Sequence, residues 1–156
     1  MQGNQTLLLK YQYICVYSSK EHKIYALPSK SDLDSNGWQL SLNSTALQFN
    51  IEIIKDFDDF YNVKDLLILS LEYDKIIHVR HFATERIYNI HFSYLPYYRG
   101  IYTSVFPVLS NETYSGVTLH KVDEGIDSGD IIYQLRIRII DSMTSRDLYH
   151  LYNYYA

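Results

Sequence analysis

The chain has 156 residues, 47% of them hydrophobic and 21% charged, with a formal net charge of −4. That length suits one domain with a real core, over residues 1–156, and the charge offers no broad basic field for nucleic-acid phosphates. A single cysteine, Cys15, excludes an internal disulfide and a cysteine metal cluster and reads as a small buried hydrophobe.

No run approaches the roughly 18 apolar residues of a membrane span, and Leu7-Leu8-Leu9 is too short for a signal-peptide core. A cytoplasmic protein without nucleic-acid or membrane partners is the expectation. Glycosylation-type triplets at Asn4, Asn43 and Asn111 are then incidental. The 17 tyrosines read mainly as half-buried packing groups whose hydroxyls need water or a partner.

Along the chain, Thr6 to Tyr11 suits a helix tail or a frayed end, and Tyr13 to Tyr17 is the first strand. Residues 20–43 read as a long irregular connection in which Trp38 is a packing anchor. Asn50 to Ile54 predicts a second strand, and Asp56 to Tyr61 a turn or short helix. The continuous apolar run Leu66 to Leu71 predicts a central parallel strand covered on both faces.

A short helix near Val79 to Thr84 and a buried strand over Ile87 to Ile90 come next. Thr103 to Leu109 suits a helix capped by Thr103, with Pro107 tolerated in or next to the first turn. Val117 to Val122 and Ile131 to Ile140 predict two strands, the latter at an edge because Leu135 to Ile140 alternates. Thr144-Ser145-Arg146-Asp147 resembles a capping box, with Leu148, Leu151, Tyr152 and Tyr155 at helical spacing behind it. Alternating strands and helices give an α/β domain, a Rossmann-like, mostly parallel sheet flanked by helices. Ligands collect at the carboxyl ends of such strands, where Asn89, His91 and Asp127 fall.

Asn89 and His91 lie two apart on one strand, so both side chains point to the same face. A neutral imidazole can take a proton, a carboxamide N–H can stabilise an oxyanion, and a carboxylate can orient the imidazole. Asp127, in a Gly-flanked loop, is the natural third member. Asn-x-His by itself is a weak signal that favours a structural histidine satisfying backbone groups over a catalytic one. His120 reads as a hydrogen-bonded or surface residue. His78 and His81 lack the further ligands of a zinc site. The acidic loop 123–130 lacks the alternating oxygen ligands of a calcium site. No metal is expected.

Asn89-Ile90-His91 with Ser93, Leu95-Pro96 and Arg99-Gly100, then Gly116-Val117-Thr118, His120, Asp123-Glu124-Gly125, Asp127, Gly129 and Ile131, resembles the formyltransferases that use N10-formyltetrahydrofolate. The likeness runs over about 50 residues in order, spacing and glycine positions. It implies a formyltransferase catalytic domain with Asn89, His91 and Asp127 as catalytic triad and no metal. In the methionyl-tRNA and glycinamide-ribonucleotide enzymes a proline usually follows the catalytic histidine. Here Phe92 stands there and Tyr102-Thr103-Ser104 follows the Arg-Gly turn, which is similar to the enzymes of nucleotide-linked amino sugars.

The resemblance implies folate contacts at Ser70, Leu71, Glu72, Tyr73, Ile76, Asp123 and Gly125, and sugar-nucleotide contacts at Ser93, Tyr94, Arg99, Gly100, Tyr102 and Thr103. The implied reaction moves a formyl group from the folate to the amine of a nucleotide-linked, dTDP-type amino-dideoxy sugar of surface-polysaccharide (lipopolysaccharide O-antigen) synthesis. Asn89 would be the oxyanion donor, His91 the base, and Asp127 the group that holds the tautomer of His91. A homodimer is admitted. The family domain normally has a further strand before the first one here and continues beyond Ala156, so truncation at both ends is expected. Alternatives are a catalytically silent truncated relative, a methionyl-tRNA formyltransferase-like enzyme, and a folate- or nucleotide-binding regulatory module.

Overall fold

The computed structural model describes residues 13–18, 23–32, 34 and 41–156. Trp38 and the stretch from Thr6 to Tyr11 lie outside the described residues, as does the side chain of Cys15. Strands β1 (Tyr13–Ser18), β2 (Lys23–Pro28), β3 (Glu52–Ile53), β4 (Leu66–Leu71), β5 (Ile87–His91), β6 (Tyr114–Lys121) and β7 (Ile131–Arg138) form one sheet in the order β3-β2-β1-β4-β5-β6-β7. Helices α1 (Leu42–Gln48), α2 (Val105–Leu109) and α3 (Ser145–Tyr155) complete the fold.

The α/β reading holds, but the sheet is mixed rather than mostly parallel. Only β2 with β3 and β4 with β5 run parallel; β1 is antiparallel to β2 and β4, and β6 to β5 and β7. Residues 19–22 are too few for a parallel crossover, so the chain must return antiparallel from β1 to β2. The same holds for the loop between β6 and β7. Two elements also fall in or beside what the sequence reads as irregular connection, β2 and α1. The Ile24-Tyr25-Ala26-Leu27 run is short and bounded by polar residues, and α1 is only seven residues long. Ser41 caps α1 by accepting from the Ser44 N–H at 3.0 Å.

Strand periodicity separates two cores. On one face Ala26, Leu71, Val117 and Ile137 pack with Leu42 and Ala46 of α1 and Leu148 and Tyr152 of α3. On the other, Val16, Tyr25, Leu27, Leu66, Ile68, Ile77 and Ile87 are covered by aromatic residues of the connections rather than by a long helix. Phe57 meets Phe82 edge-on at 5.0 Å, and Tyr25 meets Phe60 at 4.9 Å. The helix expected at Val79 to Thr84 is one 3-10 turn, Val79–His81. Thr84 instead donates its hydroxyl to the Leu66 carbonyl at 2.9 Å and accepts from the Arg86 N–H.

α2 starts one residue later than expected, with Ser104 at its cap position. Pro107 is the third helical residue, where the missing N–H would have had no intrahelical partner. Thr103 is drawn inward, because the buried Tyr152 hydroxyl donates to its carbonyl at 3.1 Å. The capping box of α3 forms as the sequence reads, with the Asp147 N–H donating to the Thr144 hydroxyl and the Thr144 N–H to the Asp147 carboxylate. Ser145 and Arg146 at the start of α3 line one cleft with Ser104 and Val105 at the start of α2 and with Ser70, Asn89 and His91 of β4 and β5.

Candidate active site

Register across three strands builds the polar floor of the site. Ser70 on β4 pairs with Asn89 on β5, and Asn89 pairs with His120 on β6. Directly opposite residues share a face, so all three point the same way. On β5 that face reads Ile87, Asn89, His91, apolar where it closes the core and polar where the strand ends. A register shift beside Leu119 and His120 lets Ile132 fall out of the β6–β7 pairing, a bulge next to the histidine.

The chain after β5 folds back over this floor and is pinned from beneath. The Thr118 hydroxyl donates to the Ser93 carbonyl at 2.7 Å and accepts from the Leu95 N–H. Gln134 Nε2 donates to the Leu95 carbonyl at 2.8 Å. A Cβ at Gly116 would collide with the Leu135 carbonyl and the Tyr94 ring, so only glycine lets the loop lie this close. The loop delivers two backbone groups, the Tyr98 carbonyl to His91 Nε2 at 2.9 Å and the Gly100 N–H to Asp127 Oδ2 at 2.9 Å.

Asp127 comes from the loop between β6 and β7, closed by the Lys121 N–H donating to the Asp130 carbonyl. Asp123 staples it by accepting from the Gly125 N–H at 3.0 Å and from the Ser128 hydroxyl at 2.8 Å. Asp127 itself is left-handed, φ 48°, as are Glu72, Tyr98, Gly100 and Tyr102 around the same space. Non-glycine residues in that region are strained, and such strain gathers at functional sites.

Asp127 divides its two oxygens. Oδ1 accepts from Asn89 Nδ2 at 3.2 Å and lies 3.4 Å from His120 Nε2; Oδ2 lies 3.4 Å from His91 Nδ1 and takes the Gly100 N–H. His91 Nε2–H donates to Tyr98 O, so the neutral ring carries its lone pair at Nδ1, facing the carboxylate. The tautomer of His91 is therefore set by a backbone carbonyl rather than by Asp127, which stands ready for a proton arriving at Nδ1.

The electrostatics agree with that division. Burial pushes His91 below its ordinary value, against the pull of Asp127 and the Tyr98 carbonyl, so it rests as a neutral base. Burial works to raise the Asp127 carboxyl, yet the contact with His120, the neighbouring His91 ring and the Gly100 N–H together hold it below its ordinary value. Glu72 behaves oppositely. Burial, then the nearby Asp127 charge, push it up to about 7 despite the N–H of Phe92.

These groups open into a cleft of about 1170 Å³. Of the residues proposed for folate, Ser70, Glu72, Tyr73, Ile76, Asp123 and Gly125 line it. Leu71 does not; the two-residue period of β4 sends it into the core with Phe92 and Tyr152. Of those proposed for the sugar nucleotide, Gly100, Tyr102 and Thr103 line the cleft. Ser93 is fully buried with its hydroxyl on the Tyr97 carbonyl, Tyr94 packs under the Arg136 guanidinium, and Arg99 is exposed and does not line the cleft. Sequence reasoning left out Ser104, His120, Ser145, Arg146 and Tyr149. Only strand register could have placed His120, and only the return of α3 the last three. Among the described residues no group of three or more His, Cys, Asp or Glu could hold a metal ion, and no helix is long and apolar enough to cross a membrane.

The formyl transferase family model matches residues 13–153. A GDP-perosamine N-formyltransferase of Brucella melitensis is 28% identical over 134 residues, 82% of this chain and 51% of the Brucella protein. WlaRD, a sugar 3N-formyl transferase solved in the presence of dTDP and 5-N-formyl-THF, superposes with a TM-score of 0.79 at 46% identity, over 83% of this chain and 47% of its own. The N-formyltransferase from Helicobacter canadensis, in complex with folinic acid and dTDP-3-aminofucose, gives 0.78 at 43% identity, over 82% and 47%. This chain spans about half the length of these three relatives.

The raised carboxyl of Glu72 has a stability consequence. Between its ordinary 4.5 and about 7 the folded chain holds a proton that the unfolded chain has lost, so stability falls as pH rises through that window. Glu72→Gln cannot ionise and should escape the loss. Its gain in urea midpoint over the parent is expected to be larger at about pH 8 than at about pH 5; equal offsets at both values would refute the assignment.

Proposed function

We propose that this chain, which belongs to the formyl transferase family, transfers the formyl group of N10-formyltetrahydrofolate to the amine of a nucleotide-linked amino sugar. A dTDP-linked amino-dideoxy sugar of surface-polysaccharide synthesis is the acceptor the reading favours. The single observation that carries the chemistry is the shared carboxylate of Asp127, which touches a neutral histidine on one oxygen and a carboxamide N–H on the other. The acceptor class is supported by the two sugar N-formyltransferase structures, described with dTDP or dTDP-3-aminofucose and a formylated folate.

The cleft suits a folate at one end. Ile76 and Ile126 line it while 67% and 61% exposed, beside Tyr73, an apolar wall that the face of a flat heterocycle would cover. The folate supplies the formyl carbon; this chain's residues orient it and handle the proton. As the acceptor nitrogen attacks, a carbon–nitrogen bond forms to it and the bond to the folate nitrogen breaks. The proton leaving the acceptor nitrogen passes to His91 Nδ1, where Asp127 Oδ2 balances the new charge, and then to the departing folate nitrogen. Asn89 turns an N–H to the developing oxyanion.

Tyr102, Thr103, Ser104, Ser145, Arg146 and Tyr149 also line the cleft. Among the described residues, Lys75 and Arg146 are its lysine and arginine lining groups, and Arg146 stands with these hydroxyls. Arg146 therefore suits the diphosphate of the acceptor better than Arg99, which does not line the cleft.

Asn89→Ala should lower turnover by about 10²–10³ while the chain stays folded; near-parental formyl transfer would sink the oxyanion role. Arg146→Met should raise KM for the nucleotide sugar about tenfold and leave KM for the folate unchanged, as expected when one charged hydrogen bond is lost. An unchanged KM for the sugar would remove Arg146 from the phosphates.

A further inference from the structure

We infer that His120 is a positioning residue of the site, the group that holds the Asn89 carboxamide with its nitrogen, not its oxygen, toward the reacting atoms. The inference rests on the formyl-transfer reading for its catalytic consequence, and on geometry alone for the placement.

His120 is 2% exposed and lies directly across from Asn89 in the β5–β6 pairing. Its Nδ1 is 2.6 Å from the Lys121 carbonyl, a contact that requires a proton on Nδ1. Nε2 is then the free ring nitrogen, 3.3 Å from Asn89 Nδ2 and 3.4 Å from Asp127 Oδ1, and with the ring uncharged it offers a lone pair to the carboxamide. A carboxamide has two N–H bonds. Asp127 Oδ1 at 3.2 Å and His120 Nε2 at 3.3 Å lie on the same side of this group, within reach of it.

Turning the amide over would set its oxygen against a carboxylate oxygen and an imidazole lone pair at once, two repulsions in place of two hydrogen bonds. A bulge lies beside His120 in the β6–β7 pairing, as bulges often do next to active sites. During transfer Asp127 must follow the proton on His91, and its hold on Asn89 weakens. His120 is the second acceptor, anchored to backbone, that keeps the amide from turning. When Asn89 gives one N–H to the oxyanion, the other keeps a partner.

Three substitutions separate positioning from bulk. His120→Phe keeps the ring without its nitrogens, His120→Asn keeps a polar group too short to reach Asn89, and His120→Gln can place an oxygen near the Nε2 position. Expected is a fall in kcat of about tenfold for Phe and Asn, KM for both substrates within twofold of the parent, and recovery of most of the loss in Gln. The side-chain 15N–1H resonances of Asn89, which need no turnover, should move in Phe and Asn and stay near parental in Gln.

Parental kcat in the Phe or Asn variant, equal losses in all three, or unmoved Asn89 resonances would overturn the assignment. If Phe fails to fold, the Asn and Gln pair decides alone. A parent chain that binds both substrates and transfers no formyl group would fail the functional reading instead, and the Asn89 resonances would still decide the placement.

Discussion

One buried carboxylate holds the site together. Asp127 has a side chain only 13% exposed, and every group that makes the cleft chemically interesting touches it: Asn89, His91, His120 and the Gly100 N–H. A carboxylate in such a place is unstable unless its lone pairs are met, and its partners come from three pieces of the chain. β5 gives Asn89 and His91, β6 gives His120, and the loop after β5 gives Gly100. Folding must bring all of them to one point before the charge is tolerated, so assembly of the site and closure of the two loops are a single event.

The rest of the structure supplies that rigidity. Thr118 and Gln134 fix the loop after β5 from below, and Asp123 fixes the loop that carries Asp127. α3 closes the other side through Tyr152, whose hydroxyl bridges Ser115 on β6 and the Thr103 carbonyl before α2. Left-handed backbone at Glu72, Tyr98, Tyr102 and Asp127 is strain that this network sustains. Glu72 is the discordant charge. It shares the pocket with Asp127, and its carboxyl, pushed up to about 7, is only partly ionised at neutrality, which reduces the negative charge gathered there.

Much of the site was legible in sequence because it depends on short-range spacing. Two residues on one strand share a face whatever the sheet does, so Asn89 and His91 could be paired from their separation alone. The same rule, applied to Leu71, would have sent it to the core, since Ser70 beside it faces the cleft. His120 was not legible, because its place opposite Asn89 is a matter of register between strands. Arg146 was hidden for a similar reason: its capping box is local, but the return of α3 to the cleft is set by Leu148 and Tyr152 packing on distant strands. The mixed sheet was missed partly where β2 was missed and partly because the short loop from β6 to β7, which forces an antiparallel return, was not weighed.

The most direct test offers the chain N10-formyltetrahydrofolate and a panel of nucleotide-linked amino sugars, then weighs the products by mass spectrometry. The expected result is the added mass of one formyl group on an amino-sugar nucleotide, absent when Asp127→Asn replaces the parent. A parent chain that binds a stable folate analogue and the sugar nucleotide yet leaves every acceptor unformylated would contradict the proposed transfer.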